Sequence, residues 1–331
     1  MRIPRTPMKL GQSTTMSSFL CVAALLLVSV PQTHAAFSPP TPLTNTSTDT
    51  SDQQVATSGS NVYIVWRDFD SSVVPSSYEI YFARSLNGGV TFEAPQNISQ
   101  SPGTSANPRI AANGQHVYIA FGDTGGTFLA HSDNSGESFL PKTNLTTAFG
   151  LQLGSSGWLA AAGENLYMVW RAGANGILMA RFGNYSATFF DSQNISASPN
   201  AIDPVVAASG NSVYVAWSEP VAGNSNDILF RRSTGGGVAF DPALNISNNM
   251  GLSRFPAMAA DGMKVWLAWT DGPIGGSGDI LFARSADAGG LFEPALNLSN
   301  NAANSVDPAV AARGSNVYIC LLYTSPSPRD S

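Results

Sequence analysis

Only two cysteines occur in 331 residues, Cys21 and Cys320, and both lie near the ends. A disulfide-stapled scaffold and a Cys-rich zinc module are therefore excluded. Histidine is equally scarce, with three in all. Charged residues make up 11% of the chain and acids outnumber bases, 22 to 16. No cluster of Lys and Arg exists to neutralise a phosphate backbone, so nucleic acid is not an expected partner. The low charge also argues against a coiled coil or a charge-driven disordered chain. Long helical periods are missing too. What is abundant is 31 Gly, 21 Pro and 43% hydrophobic residues.

The two ends differ from the rest. Arg2, Arg5 and Lys9 precede an apolar run from Phe19 to Val30, and Thr33-His34-Ala35-Ala36 follows. A basic start, a short apolar run and small residues predict a signal peptide over 1–36. Secretion or cell-surface display follows, with no membrane insertion after cleavage. At the other end, Cys320 to Asp330 resembles the translation of a transposon-end sequencing adapter, so 320–331 is expected to be non-native. Between them, residues 37–319 carry 12 Lys and Arg against 21 Asp and Glu. No metal site and no cofactor is expected there.

One unit recurs. Pro204-Val-Val-Ala-Ala-Ser-Gly-Asn-Ser-Val-Tyr-Val-Ala-Trp217 aligns with Pro256-Ala-Met-Ala-Ala-Asp-Gly-Met-Lys-Val-Trp-Leu-Ala-Trp269. The same frame returns at Gln53–Trp66, Pro108–Phe121, Gly157–Trp170 and from Pro308. Its central aromatics, Tyr63, Tyr118, Tyr167, Tyr214, Trp266 and Tyr318, fall 47 to 55 residues apart. Each unit reads as a small apolar strand, a Gly turn, a strand rich in β-branched and aromatic residues, and two further short strands. Four strands per ~50 residues is the signature of a β-propeller blade. The expectation is an all-β propeller over 53–319, holding five four-stranded blades and the start of a sixth. Within the N-terminal segment 37–52, Leu43-Thr-Asn-Thr-Ser47 matches the end of a fourth strand and is expected to close the ring. The complete protein is expected to be six-bladed and monomeric.

The turn between the third and fourth strands carries the sharpest motif. Ser285-x-Asp287-x-Gly289-x-x-Phe292 is one copy, and Ser132, Asn134, Gly136 and Phe139 form another with Asn for Asp. Ser85, Asn87, Gly89 and Phe92 repeat it, whereas Ser233, Gly237 and Phe240 lack the acid. These copies, in phase with the blades, resemble the Asp-box (BNR) repeats of sialidase-like propellers. The resemblance implies a structural role for the turns, with the aromatic packed into its blade, on the side away from any active site. Arg84, His131, Arg181, Arg232 and Arg284 stand just before the turns and predict a solvated ring of structural charge. Asn97, Asn144, Asn194, Asn245 and Asn297 head N-[IL]-[ST] triplets in phase; Asn45 and Asn184 head further sequons. A turn role is expected first for the phased triplets, glycan attachment second.

Loops on the opposite face gather Asp68, Asp70, Glu79, Asp123, Asp203, Glu219, Asp227, Asp271, Asp279 and Asp307, with Arg67, Arg171 and Arg254 as the main cations. A sialidase fixes its substrate carboxylate with converging arginines, because the planar guanidinium pairs bidentately. Arg254-Phe255-Pro256 is similar to the family's first arginine element, and Trp66-Arg67-Asp68 and Trp170-Arg171 to its second. The two halves never share a blade here. The expected function is a non-catalytic glycan- or protein-binding module, with Arg67, Asp68, Asp70, Asp123, Arg171, Glu219, Arg254 and Asp271 as ligand candidates. The alternative is an exo-α-sialidase-type glycoside hydrolase using Arg67, Asp68, Arg171 and Arg254, its nucleophile lying beyond this sequence.

Overall fold

The computed structural model describes residues 42–44, 50–71, 76–151, 157–196, 198–221, 225–273, 276–300 and 304–323. Residues 1–41, which include the expected signal peptide, and residues 324–331 lie outside these. Leu43 and Thr44 are not in a strand, and the rest of the expected closing segment, 45–47, is outside the described residues.

Six antiparallel sheets follow one another along the chain. The first holds β1 (Ser51–Ser58), β2 (Asn61–Asp70), β3 (Ser77–Ser85) and β4 (Gln96–Asn97). The second holds β5 (Ala106–Asn113), β6 (His116–Asp123), β7 (Gly126–Ser132) and β8 (Thr143–Asn144). The third holds β9 (Trp158–Ala162), β10 (Asn165–Arg171), β11 (Ile177–Gly183) and β12 (Thr188–Ser196). The fourth holds β13 (Ile202–Ser209), β14 (Ser212–Pro220), β15 (Asn226–Ser233) and β16 (Leu244–Asn245), and the fifth β17 (Arg254–Asp261), β18 (Lys264–Asp271), β19 (Asp279–Ser285) and β20 (Leu296–Asn297). The sixth is the hairpin β21 (Ser305–Arg313) and β22 (Asn316–Tyr323), which runs four residues past Ile319. This is the expected propeller of four-stranded blades, five blades and the start of a sixth. Among the described residues one short α-helix occurs, α1 (Leu145–Phe149), which was not legible in the pattern; Asn144 caps it and Gly150, at φ 71°, ends it. Among the described residues no helix is long and apolar enough to cross a membrane.

Strand order within a blade follows from side-chain size. First strands of consecutive sheets pack against one another, so they surround a common axis where Ala-rich sequence fits. Second strands are sandwiched between neighbouring blades. Tyr63, Tyr118, Tyr167 and Tyr214 are at most 1% exposed, and each sits across from the residue that precedes the octapeptide turn: Arg84, His131, Arg181 and Arg232. At the inner tips, Asn113 Nδ2 donates to the Gly163 carbonyl at 2.7 Å and the Gly262 amide to Ser209 Oγ at 2.9 Å. Arg313 Nη1 donates to the Gly59 carbonyl at 3.2 Å, so the sixth hairpin meets the first.

The octapeptide turns are built by local side-chain bonds. Ser285 Oγ accepts from the Gly289 amide at 3.0 Å, and Asp287 Oδ1 accepts from Gly290 and Leu291 at 2.9 and 3.0 Å. The same Ser-to-Gly bond closes the turns at Ser85, Ser132 and Ser233. Two expectations are refined here. The turn's aromatic packs at the seam, in a cluster drawn from its own blade and the preceding one: Phe139 sits edge-on to Phe82, and Phe292 edge-on to Phe230, both on the preceding blade. The basic ring is not solvated as a whole: Arg284 is exposed and bonds only Glu293, as expected, but the arginines of the earlier blades are engaged across the seams. Arg84 is 8% exposed, pairs with Glu93 at 2.8 Å and donates to the Asn134 and Ser135 carbonyls of the next blade's turn. Arg232 repeats this with Asp241, Asp287 and Ala288, and Arg181 with Asp191 and Gly236. A guanidinium has enough donors to bond an acid of its own blade and carbonyls across the seam at once. His131, too short to do so, stacks on Tyr118 and meets His116 at 3.1 Å, while His116 stacks on Tyr185 of the third blade.

The phased Asn triplets serve the chain's own turns. Asn97, Asn245 and Asn297 each accept, through Oδ1, the amide three residues on, at 2.8–2.9 Å. The hydroxyls of Ser99, Ser247 and Ser299 accept the amides of Ile80, Ile228 and Ile280.

Candidate functional site

The acids assigned to one face divide by burial. Glu79 and Asp227 are 0% exposed, and Asp68 is 3% exposed. Glu79 accepts from Ser77 and Ser99 hydroxyls and the Ser101 amide; Asp227 accepts from Asn245 Nδ2 and Ser247 Oγ. Asp279 receives the same pair from Asn297 and Ser299. Buried carboxylates held this way organise loops, since removing the acceptor would orphan several donors. Others do related work nearer the surface. Asp70 accepts from Tyr81 at 2.6 Å, Asp123 from Ser101 at 2.6 Å, and Glu219 from Trp217 Nε1 at 2.8 Å. Asp271 accepts from Asn249 and Ser253, and burial raises its pKa against the lowering by those bonds. The acids gathered on that face are therefore largely an internal acceptor network.

The three candidate arginines share no partner. Arg67 bonds Ser51 Oγ at 2.9 and 3.1 Å, pairs with Asp52 at 3.4 Å and lies 4.7 Å above the Tyr78 ring. Arg171 is exposed and reaches the Pro199 carbonyl at 3.5 Å. Arg254 pairs with Asp203 at 3.1 Å and covers the Phe255 ring at 4.6 Å. Three guanidiniums committed to separate partners do not form a carboxylate clamp.

A different constellation does converge. The first strands of five sheets open with a register break, and the residue at the break has a left-handed backbone: Asp52 (φ 58°), Asn107 (φ 53°), Asp203 (φ 54°), Phe255 (φ 53°) and Asp307 (φ 51°). The bulges thus stand at one equivalent place in the first strands of these five sheets. Three of them, Asp203, Phe255 and Asp307, join Trp158, Val205, Pro256 and Pro308 around a pocket of about 240 Å³. Asp and Asn tolerate a left-handed backbone; a bulky aromatic there is an outlier costing about 1–3 kcal/mol. Phe255 is nonetheless 41% exposed, so no core burial offsets that cost. Trp158 is equally out of pattern. It stands at the register held by Val205, Ala257 and Ala309 in later blades. Arg109 supports it, with Nε on the Gly157 carbonyl at 2.7 Å and the guanidinium 5.2 Å from the indole; burial pushes the Arg109 pKa down.

Of the earlier candidates only Arg254 adjoins this pocket, through Asp203. Trp158 and Phe255 were missed as site residues. The signal was present: aligning the frame shows Phe where four other blades have Asp or Asn, and Trp where they have smaller side chains or Arg109. Among the described residues no group of three or more His, Cys, Asp or Glu is placed to hold a metal ion.

No family model and no curated protein sequence matches the chain. Solved structures do. A protein of unknown function from Dyadobacter fermentans DSM 18053 aligns with TM-score 0.57 at 12% identity, over 84% of this chain and 92% of that one. Trypanosoma rangeli sialidase aligns with TM-score 0.55 at 12% identity, over 84% of this chain and 53% of that one. The chain thus spans about half the length of the sialidase it matches. At such identity the likeness is one of architecture alone: this chain has the fold of the sialidase-like β-propellers.

Proposed function

We propose that this chain is a secreted or cell-surface, non-catalytic glycan-binding module that holds its ligand in the axial pocket. The observation carrying this reading is the strained, exposed Phe255 beside Trp158, with the carboxylates of Asp203 and Asp307 on the same rim. Aromatic faces take up the apolar side of a sugar ring, and carboxylates accept from its hydroxyls. The neighbouring guanidinium, Arg254, is already neutralised by Asp203, which leaves nothing poised for an anionic sugar.

The competing reading is an exo-α-sialidase-type hydrolase, favoured only by the shared fold; one fold hosts many activities. An immobilised oligosaccharide panel tests the first reading with the parent chain and Trp158→Ala. Saturable binding that Trp158→Ala weakens about tenfold or more, the loss of ~1.4 kcal/mol of contact, supports it. A fluorogenic sialoside tests the second. Turnover abolished by both Arg254→Ala and Arg67→Ala would replace the binding module with an enzyme.

A further inference from the structure

The charge and the strain at the axial pocket together narrow the ligand class. The left-handed bulge positions can be compared blade by blade. Asp52 is paired with Arg67 at 3.4 Å and Asp203 with Arg254 at 3.1 Å, while Asn107 carries no charge. Asp307 is exposed and has no partner among the described residues. The pocket therefore holds one compensated and one uncompensated carboxylate, with two aromatic rings beside them. One face of each ring is taken by a guanidinium, Arg109 for Trp158 and Arg254 for Phe255. The quadrupole of each ring is thus partly engaged, and a further cation would meet the other face of the rings and the carboxylate of Asp307. A negative quadrupole beside an uncompensated carboxylate attracts a cation, and more so where water is partly excluded.

We infer that the pocket selects a glycan bearing a protonated amine, an amino sugar, with its ring on Phe255 and Trp158 and its ammonium on Asp307. This deepens the binding-module reading and rests on it. The alternative account of Phe255 is that it packs the fold. That account fails on exposure and on backbone: Asn or Asp would hold the same φ with less strain, as the other blades show. A residue that is locally unfavourable and solvent-facing is the kind of rule-breaking kept for ligands.

The experiment compares a hexamer of glucosamine with its fully N-acetylated counterpart by titration calorimetry, using the parent chain, Asp307→Asn and Phe255→Asn. Melting temperatures of the three proteins are read in parallel. The expected result is about tenfold tighter binding of the free-amine hexamer, the factor one cation–π or ion-pair contact supplies. Asp307→Asn should erase that preference. Phe255→Asn should weaken both hexamers about tenfold while its melting temperature equals or exceeds the parent's. A merely structural Phe255 would instead melt lower and bind as before. Equal binding of the two hexamers by the parent overturns the amino-sugar assignment and leaves the binding module standing. Binding of neither hexamer overturns the assignment also; if the wider oligosaccharide panel is then blank as well, the module reading falls with it.

Discussion

Gly289 and Gly89 occupy the same place in the octapeptide turns of the fifth and first blades, yet replacing each by alanine should have different consequences. Both glycines have a left-handed backbone, φ 78° and 86°. An L-residue pays about 1–2 kcal/mol for that at either site. At Gly289 an added Cβ would lie 2.7 Å from Phe230 Cζ and 2.9 Å from its Cε1. Phe230 is fully buried and held edge-on by Phe292 at 4.9 Å, so it has nowhere to retreat. Overpacking of that kind adds about 1–3 kcal/mol. At Gly89 the nearest atom is Val62 Cγ2 at 3.9 Å, an ordinary contact. Gly289→Ala should therefore cost about 2–5 kcal/mol and Gly89→Ala about 1–2. With roughly 2–4 °C per kcal/mol for a domain approaching this size, Gly289→Ala should melt about 2–12 °C below Gly89→Ala. Differential scanning calorimetry measures both. Adding Phe230→Leu should recover part of the Gly289→Ala loss and none of the Gly89→Ala loss. If the two alanine variants melt together, the seam contact is not what fixes glycine in these turns.

Two further outcomes follow from the blade seams. Burial holds His131 down to about 4 and pushes His116 down as well, with Asp133 acting the other way. The fold thus favours the neutral imidazoles and binds fewer protons than the unfolded chain. Stability from this pair is intact above about pH 6.5 and lost as pH falls toward 4. Denaturant midpoints measured between pH 7 and 4.5 should drop less for His131→Phe, which keeps the stack on Tyr118, than for the parent; parallel curves would remove the histidines from the account. In the first seam, Arg84→Ala gives up a charged bond to Glu93 and two to backbone carbonyls, at about 1.5–3 kcal/mol each for a hydrogen bond to a charged group before compensation. Glu93→Ala loses only a rim partner, 48% exposed, worth about 0–1 kcal/mol. Urea titration should show Arg84→Ala as the clearly weaker protein, and equal losses would mean the cross-blade bonds contribute nothing.

Much of the blade could be read from the chain itself. The aromatics from Tyr63 to Tyr318 are second-strand centres, and the small apolar stretches such as Val205–Ala208 are inner strands. These features depend on periodicity and turn chemistry, which are local. The direction of the seam contacts was not readable, because Phe292 reaching Phe230 of the preceding blade is a relation between residues about 60 apart. The acids misled for a related reason. Glu79 and Asp68 look alike to a composition argument, but what distinguishes a buried acceptor from an open ligand group is whether Ser99 or Thr50 returns to meet it. The axial pocket was hidden by the same frame that revealed the fold. Phe255 lies within the family-like Arg254-Phe255-Pro256 element, and its left-handed backbone shows what its place in the frame, where four other blades have Asp or Asn, signifies.

The arginine contacts across the seams all run one way along the chain. Arg84, Arg181 and Arg232 each reach from an earlier blade into the turn of a later one. During synthesis the donor and its companion aromatic therefore leave the ribosome before the turn they will hold. The side that reaches across each of these seams is always the one made first. The second blade, with His131 in place of arginine, is the one step in that vectorial sequence where the waiting partner is a ring stack in place of a guanidinium.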